Sequence, residues 1–274
     1  MYNRLICFGD SFTAGEGAWL EKTKSFEDEP AKVAKFNLQY CWPTVLGELL
    51  DTFTENHGST GDSNNAIFNN IFKYDANLST PIQKGDLVIV MWSSSIRDKL
   101  PYLPTIFQNE GPVGLGWSLK EILEDFGQSN FIHRYYKDSK HKNFLENTIN
   151  PFLNKYYKKL ITSLYDPEYY NIINYNYIHM LQEYFKYKKC DYIFIDAFEP
   201  MNNFNPDSKK WDLIDKDRYW GFGENTAWDY LNNIGGDLFE NTELSFNPPG
   251  QKCHPNRHGY RLIAEELHRF IVGK

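Results

Sequence analysis

Cysteine is sparse in this sequence: Cys7, Cys41, Cys190 and Cys253 lie far apart and none belongs to a CxxC pair. That spacing offers neither a zinc knuckle nor a disulfide framework, and reduced, mostly buried thiols are expected. Long apolar runs are also lacking. No segment reaches the roughly 18 consecutive apolar residues of a membrane span. The apolar stretch after Met1, in YNRLICFGDSF, is shorter than a signal-peptide core and has no small-residue cleavage site. The expectation is a soluble product without a signal peptide, made in the cytoplasm, with no membrane partner. There is no long basic run, and the formal charge is −7. Nucleic acid is therefore not the expected main partner, and a neutral or cationic one fits better. Internal repeats and low-complexity linkers are absent as well.

What is present resembles ordinary globular usage, with 41% hydrophobic and 24% charged residues in 274. That length suits one α/β core with insertions, so residues 1–274 are read as a single domain. Aromatic residues are abundant at 17%, which serves a core, an interface or a sugar-stacking surface equally well.

Leu5-Ile6-Cys7-Phe8 reads as a buried strand stopped by Gly9-Asp10. After Trp42-Pro43, the spacing of Val45, Leu46, Leu49 and Leu50 predicts a helix with proline in its first turn. The loop formers from Gly58 to Asn65 feed a second helix marked by Ala66, Ile67, Asn70 and Ile71. Asp86 to Trp92 is the clearest central strand and ends in Ser93-Ser94-Ser95; Tyr192 to Ile195 is another, preceded by a helix around Ile178 to Tyr187. Tyr260, Ile263, Ala264, Leu267, Phe270 and Ile271 make the last segment an amphipathic helix. Strands alternating with helices imply a parallel, doubly wound sheet, with chemistry at the carboxyl ends of its strands. Two stretches stand outside this alternation. Residues from about 101 to 187, with a helical patch at Pro151 to Leu164, are read as a helical insertion or lid, and those from about 201 to 250 as a long loop region.

Ser11 follows the first strand directly, where a sharp turn can point Oγ toward a cleft. A serine hydroxyl needs a base to take its proton, and His254, in the loop leading into the last helix, is the best candidate among the histidines. Taken alone, a serine after Gly-Asp is more often a helix cap than a nucleophile. Competing chemistries fit less well. Cys253 is adjacent to His254 and cannot easily face it as nucleophile to base. His254 and His258 have metal-pair spacing, but Pro255 intervenes and no third ligand stands out. Gly9, Gly15 and Gly17 lack the GxGxxG spacing of a dinucleotide loop.

Two blocks, FGDSFTAGEG near the N-terminus and HPNRHGYRLIAEEL near the C-terminus, resemble the first and last sequence blocks of the SGNH/GDSL hydrolase superfamily. Trp42-Pro43 and the stretch from Asn56 to Asn65 are similar to its second block. The resemblance implies a three-layer α/β/α flavodoxin-like fold with a parallel central sheet and a helical insertion. It also implies a serine hydrolase without metal or other cofactor, with Ser11 as nucleophile and His254 as general base. Asp10 is then a supporting residue that orders the nucleophile turn, and the backbone N–H of Gly61 an oxyanion donor. This chain departs from the family at two places. Ser95, in Trp92-Ser93-Ser94-Ser95-Ile96-Arg97-Asp98, stands where an oxyanion Asn is expected, and losing one such donor can cost about 10²- to 10³-fold in rate. Gln251 stands where an Asp three residues before the histidine would orient the ring; Asp237, Glu240 and Glu243 lie upstream as replacements. The WSSSIR segment resembles a divergent, phage-like branch, in which Arg97 either binds an anionic substrate group or makes a surface ion pair.

The expected function is hydrolysis of a carboxylic ester in a small molecule or glycan, with removal of a carbohydrate O-acetyl group as the simplest case. The alternative is a catalytically idle SGNH fold serving as a carbohydrate-binding or virion structural module. Residence in the cytoplasm or on a virion suits either, and the sequence leaves the oligomeric state open.

Overall fold

A computed structural model describes residues 2–18, 35, 37–77, 79–94, 167–202, 206–239 and 254–273. Five strands form one parallel sheet: β1 (Leu5–Gly9), β2 (Thr54–Gly58), β3 (Leu87–Trp92), β4 (Asp191–Asp196) and β5 (Tyr219–Trp220), in the spatial order β2-β1-β3-β4-β5. This is the flavodoxin-like order, whose topological switch point lies between β1 and β3. Six α-helices accompany them among the described residues: α1 (Ser11–Ala14), α2 (Trp42–Leu49), α3 (Asn64–Asp75), α4 (Pro167–Lys188), α5 (Ala227–Ile234) and α6 (Arg257–Val272).

The central strands are buried on both faces because helices cover both, which explains their continuous apolar runs. Alternation of side chains along each strand then separates two cores. Leu5, Cys7, Ile89, Met91, Ile193 and Ile195 pack with Trp42 and Leu46 of α2, Leu231 of α5, and Tyr260, Ile263 and Leu267 of α6. Ile6, Phe8, Val88, Val90 and Phe194 pack on the opposite face with Ile67 and Ile71 of α3 and with Ile178, Leu181 and Phe185 of α4. Each such buried side chain contributes about 1.5–3 kcal/mol relative to an exposed one.

The structure changes the reading of two stretches. Helix α4 starts at Pro167, earlier than its apolar pattern suggests, and Ile178, Leu181 and Phe185 make it a crossover helix of the core. The rest of the anticipated insertion, including Pro151 to Leu164, lies outside the described residues. The region from 201 to 250 is not simply loop: it supplies two short 3-10 turns (Lys209–Leu213 and Lys216–Arg218), β5 and α5. Their signal is weak because β5 has two residues and α5 only two turns. Burial of Trp211, Tyr219 and Trp220 carries this part into the core instead.

Candidate active site

Ser11 begins α1 immediately after β1, at the carboxyl edge of the sheet. Its turn is held from several sides. The buried Asp10 carboxylate caps α1 by accepting the Phe12 N–H through Oδ1 at 3.0 Å, and its Oδ2 accepts from Ser93 Oγ at 2.6 Å. Asn56, on β2, donates to the Thr13 carbonyl at 2.8 Å and accepts the Gly58 N–H at 2.9 Å. Gly58 packs so closely that a Cβ there would meet the Ala14 nitrogen at 2.3 Å and the Thr13 carbonyl carbon at 2.6 Å.

His254 arrives from the other end of the chain. Pro255 bridges to Phe239, and Asn256 caps α6 by accepting the N–H groups of His258 and Gly259, each at 3.0 Å. The Asn256 amide also donates to the carbonyls of Asp237 and Phe239, at 2.8 and 3.1 Å. The residues that directly follow the imidazole are thereby anchored.

These two assemblies bring His254 Nε2 to 3.0 Å from Ser11 Oγ, across 243 residues of sequence. Ser11 is 4% exposed and the His254 side chain 20%, so the pair is shielded yet reachable. A second oxygen shares that nitrogen: Oε2 of Glu16 lies 3.1 Å from Nε2. Sequence reasoning missed Glu16. It lies in the loop just after α1, and only the folded chain brings it to the ring. Aromatic side chains line the same place, with the Phe12 ring 5.9 Å from that of His254, Phe198 4.5 Å from Phe12, and Trp228 4.7 Å from Phe239.

The other anticipated residues fall as follows. Asp10 sits under the turn that carries Ser11, capping α1. Gly61, with φ +74°, lies in the loop leaving β2 toward α3, on the same sheet edge as Ser11. Ser95, Arg97, Glu240, Glu243, Gln251 and Cys253 lie outside the described residues. Asp237 is described and offers its backbone carbonyl to Asn256. Asn64 is a further residue that sequence reasoning left unassigned. Its buried amide accepts the Ser93 N–H at 2.8 Å and donates to the Ser94 carbonyl at 3.2 Å, fixing the end of β3. Beyond it, Ser94 Oγ donates to Glu199 at 2.6 Å. Among the described residues no His, Cys, Asp and Glu side chains cluster as a metal site, and no helix is long and apolar enough to cross a membrane.

With an all-parallel sheet of this order and a serine–histidine pair on its carboxyl edge, the chain has a doubly wound, flavodoxin-like α/β fold. No protein-family model and no curated protein sequence matches it significantly. Among solved structures it is similar to a G-D-S-L family lipolytic protein from Veillonella parvula, with 14% identity over 98% of this chain and 97% of that one, at a TM-score of 0.42. A G-D-S-L family protein from Desulfitobacterium hafniense, described as lipolytic, matches at 14% identity over 98% and 99%, with a TM-score of 0.39. A carbohydrate esterase family 2 enzyme with a carbohydrate-binding domain, from Corynascus thermopiles (Myceliophthora fergusii), matches at 12% identity over 99% of this chain and 66% of that one, with a TM-score of 0.48.

Proposed function

We propose that the protein is a serine hydrolase of carboxylic esters. One observation carries the reading: Ser11 Oγ lies 3.0 Å from His254 Nε2 in a site otherwise closed to water on the sheet side. That is hydrogen-bond reach for general-base activation of a hydroxyl, an effect typically worth about 10²- to 10⁴-fold.

In this reading Nε2 takes the Oγ proton as Oγ bonds to the ester carbonyl carbon. The tetrahedral intermediate collapses and expels the alcohol, whose oxygen takes the proton back from Nε2. Water then gives a proton to Nε2 as its oxygen attacks the acyl-Ser11 carbonyl, and the acid leaves as Ser11 Oγ is reprotonated. The Gly61 backbone N–H and the Ser95 hydroxyl serve the developing oxyanion, and Arg97 meets any anionic group of the substrate. Asp10 acts through the turn it orders. Phe12 packs, buried, beside the histidine, and the partly exposed Phe198 and Trp228 lie against it, an apolar surface suited to a small acyl group or to the face of a sugar ring. A carbohydrate O-acetyl group is the substrate these features favour, and no cofactor enters the scheme.

The second reading, an idle fold that binds carbohydrate or builds a virion, is favoured by Gln251 and Ser95 at positions where the family has Asp and Asn. Hydrolysis of a short-chain aryl acetate by the purified protein beside Ser11→Ala, with fluorophosphonate labelling read by mass spectrometry, separates the two. Turnover and label that vanish in Ser11→Ala support the hydrolase. Absence of both in the parent protein supports the idle fold.

A further inference from the structure

We propose that Glu16 is the carboxylate that balances the charge of His254 during turnover, acting on Nε2, the same nitrogen that exchanges a proton with Ser11. The inference rests on the ester-hydrolase reading and adds a residue to its machinery.

Two oxygens lie within hydrogen-bond distance of Nε2, Ser11 Oγ at 3.0 Å and Glu16 Oε2 at 3.1 Å. A ring nitrogen holds one proton or none, so it meets these two oxygens in different states. Without a proton, Nε2 can accept from the Ser11 hydroxyl. With one, it is a donor, and an ionised carboxylate can only accept. Moving the proton from Oγ to Nε2 therefore switches on the attraction to Glu16 at the moment the imidazolium forms. An interaction that strengthens on the way to the transition state accelerates the step, whereas one equally strong before it does not. Glu16 takes no proton in this scheme. It holds charge while Nε2 passes the proton on to the departing oxygen.

The carboxylate is built into place. Its Oε1 accepts from Thr60 Oγ1 at 2.7 Å, its backbone N–H donates to the Ser11 carbonyl at 3.0 Å, and its backbone carbonyl accepts from the Tyr260 hydroxyl at 2.6 Å. The loop after α1 and helix α6 thus fix the backbone of Glu16 and the loop after β2 holds its side chain, which is 32% exposed and so only partly screened. Other ionisable side chains near the pair include Asp10, buried under the Ser11 turn, Asp237 before the bridge to Pro255, and Arg257 and His258 in the first turn of α6.

The test uses the whole protein, as parent, Glu16→Gln and Glu16→Asp. It follows kcat and KM for the aryl acetate against pH, together with the His254 imidazole titration by NMR, assigned with His254→Gln. In Glu16→Gln the His254 midpoint and the acid limb of kcat should both fall by about one pH unit. The plateau kcat should drop about tenfold at unchanged KM, and Glu16→Asp should recover part of both. A residue that merely supports the fold would move thermal stability and leave the titration midpoint alone. An unchanged midpoint in Glu16→Gln overturns the pairing even if the esterase is confirmed, and a lower midpoint with undiminished kcat overturns the catalytic role. If the parent protein turns over no ester, the hydrolase reading falls together with that role, and the midpoint alone decides the pairing.

Discussion

Ser93 donates its hydroxyl to Oδ2 of Asp10 across 2.6 Å, joining the end of β3 to the turn that carries Ser11. The other oxygen of Asp10 accepts in the α1 cap, so one fully buried carboxylate ties the switch point of the sheet to the turn of Ser11.

That tie predicts strong coupling between the two residues. Asp10→Ala removes a helix cap, typically about 1 kcal/mol, and leaves the Ser93 hydroxyl without this acceptor. Ser93→Ala takes a donor from a buried carboxylate, at about 1–3 kcal/mol. Chemical denaturation of the two single variants and the double should give a coupling of at least about 0.5 kcal/mol, with fluorophosphonate labelling of Ser11 slowed in all three. Strictly additive losses would mean that the two residues act independently.

Asn64 makes the matching clamp on the backbone of β3, accepting from Ser93 N and donating to the Ser94 carbonyl. It is 2% exposed, so water cannot easily replace it. Asn64→Leu should cost about 2–3 kcal/mol through the unsatisfied Ser93 N–H. Because the segment leading to Ser95 starts there, kcat should fall while the His254 titration midpoint stays fixed. A stable variant with parental kcat would remove Asn64 from the support of the site.

Gly58 ends β2 against the backbone of α1, and nothing larger fits. The nearest atoms to an added Cβ are backbone atoms of Thr13 and Ala14, which cannot rotate away. Gly58→Ala should therefore push α1 outward, lengthen the Ser11–His254 contact and cost about 1–3 kcal/mol by overpacking. A rate loss of at least about tenfold is expected, since small displacements of a nucleophile are expensive. Thermal melts and the aryl acetate rate check both; a parental rate would show that α1 can yield without disturbing Ser11.

The sequence disclosed those parts of the molecule whose signal is local. β1, β3 and β4 are buried on both faces and read as continuous apolar runs, and the stripe from Tyr260 to Leu267 revealed α6 together with the loop bearing His254. β2 was not visible, because Thr54-Glu55-Asn56-His57-Gly58 is a half-exposed edge strand held by its parallel register with β1. β5 is two residues long and lies in the sheet through its pairing with β4. Ser11 and His254 stood out by position and pattern. Glu16 could not, since its contact with Nε2 depends on the approach of α6 to the loop after α1.

Asp196 gives the last prediction, one of sign as well as size. It ends β4, is 1% exposed, and its pKa is raised to about 7 chiefly by burial, against hydrogen bonds from the Tyr219 hydroxyl and the Met201 N–H. An unfolded chain releases this proton near pH 4, as an ordinary carboxyl does. Between about pH 4 and pH 7 the folded state therefore binds more protons than the unfolded one, and stability must fall as pH rises through that window. The contribution is fully present below pH 4 and lost above pH 7, with a total on the order of a few kcal/mol. Asp196→Asn carries no such charge. It should add a constant cost where its amide faces the Met201 N–H, yet remove the slope. Unfolding free energies of parent and variant from pH 4 to 8 should thus converge or cross as pH rises, whereas parallel curves would show that Asp196 ionises in the folded protein as it does in the unfolded chain.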